Sequence, residues 1–181
     1  MDDSRAWIPS RIPEVRRRRL TAHPDERGEF SELWRASWLP PGVPPFVQSN
    51  LSRSRAGVLR GMHFHRRQWD LWVVVSGSAL AAVADVRPLL DGSAGRPSVE
   101  THALAAGDAL LIPPHVAHGF HAPEEMALVY FVSAEYDGSD EHGFRWDDPD
   151  AAIDWPAGEH VVSDRDRANP SLHEAVARLR G

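Results

Sequence analysis

The chain contains no cysteine, which excludes disulfide staples and a thiol nucleophile. No apolar run approaches the roughly 20 residues of a membrane helix, so no spanning segment is expected. A basic cluster, Arg16 to Arg19, lies near the start, but no apolar stretch follows it. A secretory signal is therefore not expected, and residence in the cytoplasm follows by elimination. Internal repeats, low-complexity tracts and a dinucleotide fingerprint are all missing, so no redox cofactor is implied. Cationic excess is missing as well: 26 acidic residues face 20 basic ones, for a net charge of -6. That balance argues against broad nucleic-acid binding. The arginine cluster reads as a solvated segment.

What the sequence does have is 181 residues, enough to bury the core of one domain, and frequent punctuation by 15 Pro and 13 Gly. Short apolar runs lie between these breakers and read as strands joined by turns. Leu71 to Val75 is the clearest, closed by Ser76-Gly77. Ala79 to Val86, Ala109 to Ile112 and Met126 to Ser133 follow. Leu89 to Pro97 carries Asp91-Gly92 and Ala94-Gly95 and reads as a loop. Only the last segment reads as a helix, with Ser171 as N-cap and Leu172, Val176 and Leu179 at helical spacing. Asp164 to Pro170 is the most linker-like stretch. Many short strands with one terminal helix predict an all-β barrel or sandwich whose interior can hold a small ligand.

Two segments are rich in chemistry. In Gly57 to Gly77, His63 and His65 are two residues apart, so on a strand they share a face. A polar turn then leads to Asp70, and a hairpin is expected to gather all three around one cavity. In Gly107 to His118, a strand ends at Pro113-Pro114 and His118 follows. His115 and His121 read as surface loop residues. Taken alone, Tyr130 fits a core aromatic with its hydroxyl tied off, and Asp166 fits a turn residue or ion-pair partner.

Five stretches, in order, resemble the dTDP-4-dehydrorhamnose 3,5-epimerase family. They are Asp25 to Glu32 (DERGEFSE), Gln48 to Ser52 (QSNLS), Gly57 to His63 (GVLRGMH), Ile112 to Phe120 (IPPHVAHGF), and Asp154-Trp155-Pro156 followed by Ser163 to Asp166. The resemblance spans roughly residues 20 to 170. It implies a cupin, a jelly-roll β-sandwich or barrel, as a single domain over 1–181. The core would run from about 20 to 160, with 161–181 packed on or beside it. It implies a cytoplasmic homodimer sharing strands between subunits, a dTDP-sugar substrate, and no cofactor, nucleic acid or membrane partner.

The resemblance also implies roles. His63 matches the base that removes a proton beside the C4 ketone of a nucleotide-linked 4-keto-6-deoxy sugar, at C3, C5 or both. Asp166 matches the carboxylate paired with that base, and Tyr130 the acid that returns a proton from the opposite face. Arg27, Phe30, Glu32, Gln48, Asn50 and Arg60 match residues that hold the nucleotide diphosphate, and His118 matches one lining the sugar pocket. These residue types suit the chemistry. An imidazole has the near-neutral pKa such a base needs, and arginine holds two phosphate oxygens at once.

One position departs from the family. Asp70 stands where the family has a lysine that stabilises the enolate oxygen. Arg66 or Arg67, in the adjacent turn, is the expected substitute charge. The same departure supports a second reading. The spacing of Gly57, His63, His65, Asp70 and Gly77 resembles the first metal-binding motif of cupins, with Asp for Glu. That of Gly107, Pro113 and His118 resembles the second, with His115 where glycine is usual. His63, His65, Asp70 and His118 would then bind Fe(II), Mn(II), Ni(II) or Zn(II). A third reading is a catalytically silent sugar-nucleotide binding module.

Overall fold

The computed structural model describes residues 6–180. Residues 1–5 and 181 of the expected domain lie outside the described residues. The strands in chain order are β1 (Ile8–Pro9), β2 (Arg16–Arg19), β3 (Ala22–Asp25), β4 (Gly28–Ser31), β5 (Gln48–Ser54), β6 (Leu59–Phe64) and β7 (Asp70–Ser76). After these come β8 (Ser78–Asp85), β9 (Ser98–Ala105), β10 (Asp108–Ile112), β11 (Val116–His121), β12 (Met126–Val132) and β13 (His142–Gly143). Three α-helices among the described residues, α1 (Arg87–Leu90), α2 (Asp164–Arg167) and α3 (Leu172–Arg180), and two 3-10 turns at Ala36–Trp38 and Gly138–Asp140 complete the order.

One sheet has the order β1-β2-β10-β7-β12-β5 and the other β13-β6-β11-β8-β9, all antiparallel. The inner faces meet in a single apolar cluster. Trp72, Val74, Leu110 and Ile112 come from the first sheet, and Ala81, Val83, Val116 and Phe120 from the second. The period of two that directs these residues inward directs their neighbours outward. Leu71 and Val73 pack outward against Leu20 and Phe46, with Trp34 and Trp38 beside them. Ala82 and Ala84 pack outward against Leu172 and Val176 of α3. Central strands covered on both faces explain the unbroken buried apolar run Leu71 to Val74. The fold is the expected all-β cupin sandwich with a short C-terminal helix.

The C-terminal helix is capped as its sequence predicts. Ser171 Oγ accepts the Glu174 N–H at 3.3 Å, and the Glu174 carboxylate accepts the Ser171 N–H at 2.9 Å. This reciprocal box is worth about 1 kcal/mol.

Three local expectations are corrected. Arg16 to Arg19 is not a solvated segment but strand β2, in which alternation buries Arg18 with its guanidinium 3.9 Å from the Trp38 ring centroid. His121 is not in a surface loop; it is buried on β11, its ring 5.0 Å from that of His160. The linker-like Asp164 to Pro170 begins with α2, a single helical turn capped by Ser163, whose Oγ accepts the Asp166 N–H at 3.1 Å.

Candidate active site

His63, His65 and Asp70 do not lie on one hairpin. Strand β6 belongs to the five-stranded sheet, between β11 and β13, whereas β7 belongs to the six-stranded sheet, between β10 and β12. The turn at residues 65–69 therefore crosses the sandwich. Its two ends bring the histidines and the aspartate to face each other from opposite sheets. Between them lies a cavity of about 750 Å³, a size suited to a small molecule.

Two glycines set the position of His63. Gly61 has φ +126, and a Cβ there would lie 2.6 Å from Gly119 Cα. A Cβ on Gly119 would lie 2.6 Å from the Arg60 carbonyl oxygen. Strands β6 and β11 thus touch backbone to backbone, where their register shifts between His118 and Phe120. This contact sets His63 beside His118 as direct cross-strand partners.

His63 Nε2 lies 2.6 Å from Asp166 Oδ1, and Asp166 Oδ2 accepts the Gly61 N–H at 3.2 Å. Burial alone would raise the Asp166 carboxyl. The bonds from His63, Gly61 and Ser163 outweigh it and hold the group below the usual carboxylate value. Asp166 is buried, while the His63 side chain keeps 23% exposure. The pairing leaves Nδ1 of His63 as the nitrogen able to take a proton from a ligand.

Across the cavity stands Tyr130, on β12 of the six-stranded sheet, with Trp72 and Asn50 as its strand neighbours. Burial first, then the nearby charges of Asp70 and Glu141, push its phenol upward, with Arg60 partly offsetting them. The hydroxyl therefore keeps its proton at neutral pH. Gln48 and Asn50 also line the cavity, joined by a Gln48 Nε2 to Asn50 Oδ1 bond of 3.0 Å. Arg60 lines it too, its guanidinium donating to Ser54 Oγ at 3.2 Å and to the Arg53 carbonyl at 3.3 Å.

A second group lies deeper. One ligand atom each from His65, Asp70 and His118 lies within 4.8 Å of the other two, and all three residues are buried. Of the four candidate metal ligands, His63 is the one outside this group; its ring is paired with Asp166. Burial keeps His118 well below its usual value, with His65 and His63 adding to the effect. Burial also pushes Asp70 up to about 6, against the lowering influence of His65 and Gln68.

The substitute charge does not reach this spot freely. Arg66 is absent from the cavity lining. Arg67 lines the rim, 70% exposed, but pairs with Asp137 at 2.9 Å and Asp140 at 3.6 Å. The chain contains no lysine anywhere.

Arg27, Phe30 and Glu32 stand apart from the cavity of their own chain. Arg27 and Phe30 belong to the separate β3–β4 hairpin, where Phe30 is 65% exposed. Arg27 pairs with Asp25, and Glu32, just past β4, pairs with Arg35. Sequence reading missed Asp140. Its carbonyl accepts from His65 Nδ1 at 3.0 Å, and its carboxylate accepts the Arg66 and Arg67 N–H groups at 3.0 and 3.2 Å. It also missed the Arg165–Glu141 pair at the cavity, 2.9 Å long. No motif signals either one.

Comparison with known proteins gives a consistent result. The family model described as dTDP-4-dehydrorhamnose 3,5-epimerase matches residues 9–174. A dTDP-4-dehydrorhamnose 3,5-epimerase of Streptomyces griseus is 36% identical over 169 residues, covering 87% of this chain and 82% of that one. The solved structure of the dTDP-6-deoxy-D-glucose-3,5-epimerase of Legionella pneumophila Philadelphia 1, in complex with dTDP-4-keto-L-rhamnose, superposes with a TM-score of 0.85. It is 30% identical and covers 96% of each chain. ChmJ, a 3'-monoepimerase from Streptomyces bikiniensis solved with dTDP-quinovose, superposes with a TM-score of 0.81 at 29% identity. That match covers 94% of this chain and 89% of the other. The chain belongs to the dTDP-4-dehydrorhamnose 3,5-epimerase family.

Proposed function

We propose that this protein is an epimerase of a dTDP-linked 4-keto-6-deoxy sugar, acting at one or both carbons beside the ketone. The observation that carries this reading is a histidine on one sheet, paired with a carboxylate from α2, and a protonated phenol on the other sheet, across one cavity. His63 Nδ1 removes the proton. Asp166 accepts the Nε2–H, fixes the tautomer and stabilises the imidazolium that forms. Tyr130 delivers a proton to the opposite face, which inverts the carbon. Gln48, Asn50 and Arg60 hold the nucleotide side of the ligand, and His118 lines the sugar end.

The protein works as a one-domain subunit of a homodimer in the cytoplasm. The β3–β4 hairpin supports the dimer, since it is exposed and joins neither main sheet. So does the exposed edge strand β5, whose Leu51 is 51% exposed, with Val47 just before it at 59%. In the dimer, Arg27, Phe30 and Glu32 reach the nucleotide in the partner's cavity. A mixing experiment tests this. Arg27→Ala and His63→Ala subunits, each inactive alone, should recover about a quarter of wild-type sites when exchanged into random dimers. No recovery would place the hairpin's role within its own chain.

The enzymatic reading is tested by solvent deuterium. With a dTDP-4-keto-6-deoxy sugar in D2O, the protein should place deuterium at C3 or C5, visible as loss of a proton resonance. Binding of the sugar nucleotide without any deuterium uptake would leave the silent binding module as the correct account.

A further inference from the structure

The geometry points to a single divalent transition-metal site formed by His65, Asp70 and His118, separate from the His63–Asp166 pair.

Three observations carry it. One ligand atom from each of the three side chains falls within 4.8 Å of the other two, and all three residues are buried. Each ring is already oriented. His65 Nδ1 lies 3.0 Å from the Asp140 carbonyl, and His118 Nδ1 lies 3.1 Å from the Val116 carbonyl. A carbonyl oxygen only accepts, so both Nδ1 atoms carry hydrogen, and in the neutral imidazole the lone pair is then on Nε2. His65 Nε2 is 3.9 Å from Asp70 Oδ2. Two lone pairs and a carboxylate thus converge with no donor among them. Such an arrangement calls for a cation at its centre, and imidazoles tied back to carbonyls are the usual form of histidine ligands. Gln68 Nε2 donates to both Asp70 oxygens, at 3.3 and 3.1 Å, and so holds the carboxylate in turn.

Two imidazoles and one carboxylate suit Fe(II), Mn(II), Co(II), Ni(II) or Zn(II), and leave coordination positions open. Metal–ligand bonds of roughly 2.0–2.2 Å would draw the three groups together by about 1 Å, within reach of side-chain rotation. His63 is not a fourth ligand because it stands outside the group of ligand atoms that converge within 4.8 Å. Resting on the epimerase reading, the site has a second consequence. A family lysine is replaced by Asp70 in a chain without any lysine, and a Lewis-acidic ion held here polarises a ketone oxygen as the ammonium would.

The test uses the full chain, stripped with chelator and titrated with Co(II) and Zn(II). One equivalent per chain should bind, with Co(II) giving visible ligand-field bands. His65→Gln, Asp70→Asn and His118→Ala should each weaken binding by at least ~100-fold, more than loss of an outer hydrogen-bond partner brings. His63→Ala should leave affinity within ~3-fold, since it removes no ligand. Circular dichroism of each variant separates loss of a ligand from loss of fold. No saturable uptake by the wild type, or uptake undiminished in folded Asp70→Asn and His65→Gln, overturns the site. Deuterium exchange into the sugar separates the two claims. If exchange persists in a protein that binds no metal, the site is overturned and the epimerase reading stands. If metal binds and no loading supports exchange, the epimerase reading fails and the site stands. If metal binds and the stripped protein exchanges equally fast, the Lewis-acid role is overturned.

Discussion

Two histidine–carboxylate groups share one cavity, and they are built in opposite ways. In the first, His63 and Asp166 are in direct contact at 2.6 Å, and the carboxylate is held by the Gly61 N–H. In the second, the closest His65–Asp70 approach is 3.9 Å, and the ring nitrogens engage backbone carbonyls instead. A ring that donates directly to a carboxylate is oriented and primed to accept a proton on its other nitrogen. Rings that donate to carbonyls and aim lone pairs at a carboxylate are primed to share a cation. On the proposed reading, the same two residue types form a base in one place and a ligand set in another part of the same cavity. What differs is which atom occupies the second hydrogen-bonding position.

The sharpest way to break that contrast is to exchange the consequences. His63→Ala should lower deuterium exchange by about 10³-fold or more while leaving Co(II) binding intact, as expected for removal of a general base. An equal loss of both would mean that the groups are one. Tyr130→Phe should reduce inversion by roughly 10²-fold while sparing exchange, because only return of the proton from the second face is lost. Parallel loss of exchange would make Tyr130 part of the abstraction step. Gly61→Ala should damage both groups together, because β6 and β11 carry His63 and His118 through the same close contact. Its cost should be roughly 2–4 kcal/mol in chemical denaturation.

Asp166→Asn should cost about 1–3 kcal/mol near neutral pH, the worth of a charge-assisted hydrogen bond. The pH dependence has a defined sign. The folded carboxyl titrates below its unfolded value, so its contribution is complete above the unfolded pKa and fades as pH falls through the folded one. The stability gap between wild type and Asp166→Asn should therefore close below about pH 4. The smallest effect is expected at Ser171→Ala, about 1 kcal/mol from loss of the capping box, with exchange and metal binding both unchanged.

Much of this was legible in the sequence, because period and turn chemistry are local. The run Leu71 to Val75 lies within a strand, Met126 to Val132 of the expected Met126 to Ser133 is another, and Ser171 caps the last helix. The sheet to which each strand belongs is a non-local property. For that reason the polar turn after His65 read as a hairpin although it crosses the sandwich. Asp166 lies 103 residues from His63, and only the resemblance to a family linked them. Asp140 acts largely through its backbone carbonyl and through amides of the crossing turn. Such contacts leave no residue-type signature. Arg18 and His121 misled for the converse reason: polar residue types suggested solvent, whereas alternation and packing buried them.

The most direct measurement is NMR of a dTDP-4-keto-6-deoxy sugar in D2O with wild-type, His63→Ala and Tyr130→Phe proteins side by side. The account predicts deuterium at C3 or C5 with inverted configuration for the first, no incorporation for the second, and incorporation with retained configuration for the third. Undiminished incorporation by the His63→Ala protein would contradict it.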